Sequence, residues 1–165
     1  MKELLPVVFE WAAPIFGHGF LARVSANGRA VLVREDDDKW WVYGVEPGSV
    51  AEGGGTSHEA SLAFFSGLGS IAHDFAAATR SFDEFKTQIE SFFSTADEEE
   101  AVAWDTAFES FGEAPPRIDD AFLASLKTVP LRPSAVLVER IEQQDAYTPD
   151  LNREGDIAFP LADAA

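Results

Sequence analysis

Cysteine is absent from the 165 residues, which excludes disulfides, thiolate metal sites and cysteine nucleophiles and fits a reducing compartment. Basic residues are scarce: 12 Lys and Arg stand against 29 Asp and Glu, a formal net charge of −17 at pH 7. The deficit is uneven, with 6 basic and 10 acidic side chains in residues 1–80 but 6 and 19 in residues 81–165. Nucleic-acid binding rests on clustered Lys and Arg that displace counterions, so direct DNA or RNA binding is not expected, least of all from the second half. The same field attracts and steers a basic protein partner, although acidity also serves solubility alone. No run approaches the ~20 apolar residues of a membrane-spanning helix. Glu3, Pro6, Glu10 and Pro14 interrupt the apolar start where a signal-peptide core would lie. The expectation is a cytoplasmic protein without a membrane segment.

Aromatics are plentiful by contrast. With 46% hydrophobic residues, 14 Phe and 4 Trp, the chain can fill the core of one domain. Residues 20–34, FLARVSANGRAVLVR, read as two apolar-rich runs around Asn27-Gly28, a pair suited to a tight hairpin. A second reversal at 35–39 leads to Trp40-Trp41-Val42-Tyr43-Gly44-Val45, so residues 20–45 read as an antiparallel meander. Residues 4–11 are expected to add an edge strand, because Pro6 is tolerated only there. Three capping boxes follow, Thr56 with Glu59, Ser81 with Glu84, and Thr95 with Glu98. They predict helices near 57–78, 82–94 and 97–111, the last stopping at Gly112 before Pro115-Pro116. A short helix over 118–126 and a last strand over 134–141 complete the pattern.

Few residues invite a chemical reading. His18, His58 and His73 match no metal-ligand spacing. Asp36, Asp37 and Asp38 read as a solvated turn, and the run Asp97 to Glu100 suits the positive end of a helix dipole. Gly53-Gly54-Gly55 before Thr56 would expose backbone N–H groups at a helix start, where anions bind. The stretch nevertheless lacks GxxxxGK[ST] and GxGxxG, and Glu52 and Glu59 flank it, so a structural turn is the stronger reading. No GxSxG elbow is present. No catalytic, cofactor-binding or metal-ligating residue is assigned, and no cofactor is expected.

The meander followed by PGSVAEGGGTSHEA and a helix resembles the HicB antitoxin family. The matching positions are Pro47-Gly48, Glu52-Gly53, Thr56 and Glu59-Ala60, within about residues 29–95. The resemblance implies a partial RNase H-like module without the nuclease carboxylates, and binding of a small basic ribonuclease toxin. Members often add a DNA-binding segment, but residues 96–165 offer no basic recognition helix, so autorepression is not expected.

The expected fold is α+β, an antiparallel three- to four-stranded sheet packed against helices. One domain would span 1–142, with a HicB-like core at about 20–95, a helical extension over 96–128, the last strand at 134–141 and a loose tail over 143–165. The expected function is non-enzymatic recognition of a basic protein, antitoxin-like in character. Trp40, Trp41, Glu98, Glu99 and Glu100 are the candidate contact residues, since adjacent strand residues face opposite ways and leave one Trp for an interface. An acidic nucleic-acid mimic, and a small-ligand enzyme at the glycine loop with His58 or His73 as base, stand as alternatives. Homo-oligomerisation through an exposed sheet edge stays open.

Overall fold

Apolar residues at every second position drive the longest elements. In the computed structural model, which describes residues 2–113, 120–142 and 154–161, β1 (Glu3–Gly17) and β2 (Phe20–Arg34) pair antiparallel along their whole length. Leu5, Val7, Phe9, Trp11, Ala13 and Ile15 point to one face and are buried, as are Phe20, Ala22, Val24, Ala26, Ala30 and Leu32 opposite them. Burial of each large side chain contributes roughly 1.5–3 kcal/mol. The reversal joining the strands is His18-Gly19, with Gly19 at φ 76°.

Asn27-Gly28 is therefore not the hairpin expected from its sequence. The alternation of Ala26 and Ala30 continues in phase through it, and β2 runs on. Gly28 is required for close approach: a Cβ there would collide with the Glu46 carbonyl oxygen and the Phe9 ring.

Beside β2 lie two strands that share its second edge. β3 (Trp40–Gly44) pairs with residues 30–34, and β6 (Ala135–Ile141) pairs with residues 21–27. β4 (Ala51–Gly54) extends the sheet beyond β3, while β7 (Glu154–Leu161) pairs with β1 and carries β5 (Thr128–Pro130) in parallel. The result is a seven-stranded mixed sheet, ordered β4-β3-β2-β1-β7-β5 with β6 off that path on β2.

Several expectations are corrected here. The sheet has seven strands and one parallel pair rather than three or four antiparallel strands. β1 is a central strand and not an edge, because Pro6 and Pro14 flank the segment 8–12 that pairs with β7 and remove no donor from that ladder. Residues 154–161, expected in a loose tail, form β7 and bury Ile157 and Phe159 in the main core. The domain thus extends past residue 142; the rest of the expected tail, 143–153 and 162–165, lies outside the described residues, as do Pro115, Pro116 and the expected start of the short helix at Ile118.

Four helices are described. α1 (Ser57–Ala78), α2 (Phe82–Ser94) and α4 (Ala121–Ala124) cover the main face, contributing Phe64, Phe65, Leu68, Phe85, Ile89, Phe93 and Leu123 to its core. Thr56 caps α1 by accepting the Glu59 N–H at 3.0 Å, and Ser81 caps α2 by accepting the Glu84 N–H at 3.2 Å. α3 (Glu98–Glu113) is capped by Asp97, whose Oδ1 accepts the Glu100 N–H at 3.0 Å, and not by Thr95. Thr95 instead closes α2, its hydroxyl donating to the Ser91 carbonyl at 2.7 Å. No helix among the described residues is long and apolar enough to cross a membrane.

Gly28→Ala should destabilise the fold by about 1–3 kcal/mol through overpacking, whereas Gly19→Ala, open on all sides but at positive φ, should cost about 1–2 kcal/mol. Urea midpoints compare the two directly. A Gly28→Ala protein as stable as the parent would remove the close-approach explanation.

Candidate partner-binding surface

The two tryptophans of β3 part company across the sheet. Trp40 is buried in the main core, with the Arg34 guanidinium 5.7 Å from its ring. Trp41 faces the other side, half-buried and stacked on Tyr43 at 6.0 Å. Gly53 on β4 lies against the Trp41 ring, where a Cβ would press on its atoms at 3.0 Å. The second face is covered only in part, by α3, which packs Trp104 over Val31, Val33 and Val45.

Trp104 fixes that helix. Its indole Nε1 donates to the Val7 carbonyl at 3.0 Å, its ring stacks on Phe108 at 5.0 Å, and the Arg29 guanidinium sits 5.1 Å from its centroid. Arg29 in turn donates to both carboxylate oxygens of Glu46, Nη2 at 2.6 Å and Nε at 3.2 Å, and approaches Asp105 at 3.5 Å. The hydrogen bond from Arg29 holds the Glu46 carboxyl below its ordinary value of 4.5, against burial, and the Ser134 hydroxyl adds to the effect. Arg29 is raised above its own ordinary value, first by that hydrogen bond.

This joint sits where β2 exchanges β3 for β6. Residues 131–134 carry the chain from β5 to β6 across the second face: Arg132 pairs with Glu10, Asn27 Nδ2 donates to the Pro133 carbonyl at 2.8 Å, and Ser134 donates to Glu46. Residues 131–134 thus lie as a strap over this face. Beside it a hollow of about 680 Å³ is bounded by Arg29, Glu46, Phe93 and Ser134, and a basin of about 590 Å³ by Glu10, Arg23, Ser25, Leu137 and Asp156.

The acidic residues singled out in the sequence start α3. Glu98 and Glu99 are exposed, whereas Glu100 is partly buried, and burial followed by Asp97 and Glu99 raises its carboxyl above 4.5. Glu100 also acts on Tyr43. Burial first, then Glu35 and Glu100, push the Tyr43 hydroxyl up, while Lys2 pulls it down. The fold therefore puts Trp41 and Tyr43 on the face that α3 partly covers and leaves Trp40 in the main core on the other. Tyr43 was missed in the sequence, although its two-residue spacing from Trp41 puts both on one strand face.

The glycine loop has other partners. Gly53 and Gly54 belong to β4, a Cβ on Gly54 would strike the Ala60 backbone, and the Gly55 N–H donates to Glu59 Oε2 at 2.9 Å. His58 stacks on Phe122 at 4.6 Å, His73 Nδ1 lies 2.8 Å from the Gly69 carbonyl and His18 Nε2 3.2 Å from that of Ala77. No group of three or more potential metal ligands is found among the described residues.

Glu46→Gln should lower stability at pH 7 by about 1.5–3 kcal/mol, the range for a hydrogen bond to a charged group. Because the Glu46 carboxyl is lowered in the folded state, its contribution is complete above 4.5 and is lost as pH falls through the folded value. The difference between parent and variant in urea denaturation should accordingly shrink toward zero in acid; a difference independent of pH would refute the ion-pair role.

Comparison with known proteins finds no matching family model, no curated protein and no solved structure with significant similarity to this chain.

Proposed function

We propose that the protein is a non-enzymatic recognition module for a basic protein, which it engages at the aromatic and acidic surface made by β3 and the start of α3. One observation carries this reading. Two half-buried rings, Trp41 and Tyr43, stack on each other on the face that α3 partly covers, and α3 opens with Glu98 and Glu99 exposed. A Lys or Arg side chain would meet aromatic rings and carboxylates on one face, with ~0.5–2 kcal/mol per cation–π contact before any ion pair. The net charge of −17 adds long-range attraction to such a partner.

An antitoxin-like role of the HicB kind is the finer version of this proposal. It is supported by the order of the elements: β2, β3, the Pro47-Gly48 turn, the Thr56 cap and α1 follow one another as the resemblance implies. The strands β1, β5, β6 and β7 and the helices α3 and α4 would then be additions around that module.

The test compares capture of host proteins on the parent and on a Glu98→Gln/Glu99→Gln double variant, whose changes fall on exposed side chains. The expected result is a basic protein retained at low salt by the parent, released as salt screens the charges over a Debye length of about 10 Å at 0.1 M, and retained several-fold less by the variant. Equal retention by both proteins, or release insensitive to salt, would overturn the reading.

A further inference from the structure

Edges are managed unevenly in this sheet. β4, at one end, is four residues long and ends in glycines; β5, at the other, is three residues long and ends in Pro130. Both are blunted in the manner of strands protected from further pairing. β6 is different. Its seven residues, AVLVERI, contain no Pro, Gly or Lys, and among the described residues β2 is its only strand neighbour. α2 backs it on the main face, whereas on the other face Leu137 is 55% exposed.

We propose that the edge of β6 left unpaired among the described residues pairs with β6 of a second copy, antiparallel about a two-fold axis at Leu137, so that the two sheets become one. Residues facing each other across an antiparallel pair lie on the same face, so the two-fold must pass through a residue rather than between residues. Centred on Leu137, it sets Leu137 against its own copy, Val136 against Val138 and Ala135 against Glu139. Centred on Val138, it would leave Leu137 against Glu139 and Val136 against Arg140. Centred on Glu139, it would oppose two like charges, which is destabilising. The Leu137 register alone covers the exposed leucine with a leucine and pairs both flanking valines. The occupant is a copy of this chain because the strand is self-complementary in that register.

This inference stands apart from the proposed basic partner, which uses β3 and α3, and salt separates the two. Two bodies of charge −17 repel at low ionic strength, so added salt strengthens self-pairing, whereas it weakens binding of a basic partner.

Sedimentation velocity on the full chain, over a concentration series at low and high salt, is the experiment. The parent should shift from monomer toward dimer with concentration, and further at high salt. Leu137→Lys and Leu137→Glu, each changing an exposed side chain and each checked for unaltered circular dichroism, should stay monomeric alone. Their equimolar mixture should restore the dimer, since the two charges meet at the axis. A parent that is monomeric at every concentration and salt overturns the proposal. A dimer untouched by either substitution overturns the choice of β6, and a dimer tightened by Leu137→Lys alone overturns the register, because that result belongs to pairing of residue 137 with Glu139.

Discussion

The uninterrupted pairing of β1 with β2 is the constraint on which the rest of the structure depends. Fifteen residues on each strand stay in one register from Glu3 opposite Arg34 to Gly17 opposite Phe20, and a slip of one residue would turn every core-facing side chain of one strand to the other face. Because the register holds, one face of the hairpin is a continuous apolar surface. α1 and α2 can then lay Phe64, Phe65, Phe85 and Phe93 against it, with Trp11 stacked on Phe93 at 5.9 Å and Phe9 edge-on to Phe64 at 5.2 Å. Such aromatic pairs add about 0.5–1.5 kcal/mol beyond their buried area.

The length of β2 creates the second organising feature. A strand of this length offers an edge longer than β3 can use, and β6 takes the remainder. At the changeover the backbone of Glu46 closes on Gly28, and the Arg29–Glu46 pair, Ser134 and Asn27 tie together three segments far apart in sequence. Arg29 also reaches Trp104, so the position of α3 on the second face is linked to the same joint. An ion pair in this setting is hydrogen-bonded on both sides, which is the condition under which a partly buried pair offsets its desolvation cost.

Partial cover of the second face has functional weight. α3 shelters Val31, Val33 and Val45 through Trp104, and it starts with Glu98, Glu99 and Glu100 on the face that carries Trp41 and Tyr43. The joint that stabilises α3 therefore also positions the surface proposed for the basic partner. The uncovered remainder of that face, with Leu137 and Phe16 each more than half exposed, runs to the edge of β6 left unpaired among the described residues, so the proposed pairing of two copies leaves the α3 surface open on both.

Much of this was legible in the sequence where the physics is local. Helices α1 and α2 were placed correctly because a hydroxyl and a carboxylate three residues apart satisfy backbone donors within one turn. The opposite orientation of Trp40 and Trp41 followed from the two-residue period of a strand, and the acidic, cysteine-free composition fixed the sign of the field and excluded thiol chemistry. What failed was decided by contacts between distant segments. Asn27-Gly28 has the chemistry of a hairpin, but β1 on one side and Glu46 on the other make its glycine a point of close approach. Residues 154–161 follow a polar stretch and carry Gly155 and Pro160, so they read as a tail until β1 supplies the ladder and the core receives Ile157 and Phe159. The sequence by itself determined most local elements, the caps of α1 and α2 and the charge; only the tertiary structure decided the strand order, the Arg29 joint and the placement of Trp41 and Tyr43 on the face that α3 partly covers, because each depends on burial and pairing between residues that no local spacing relates.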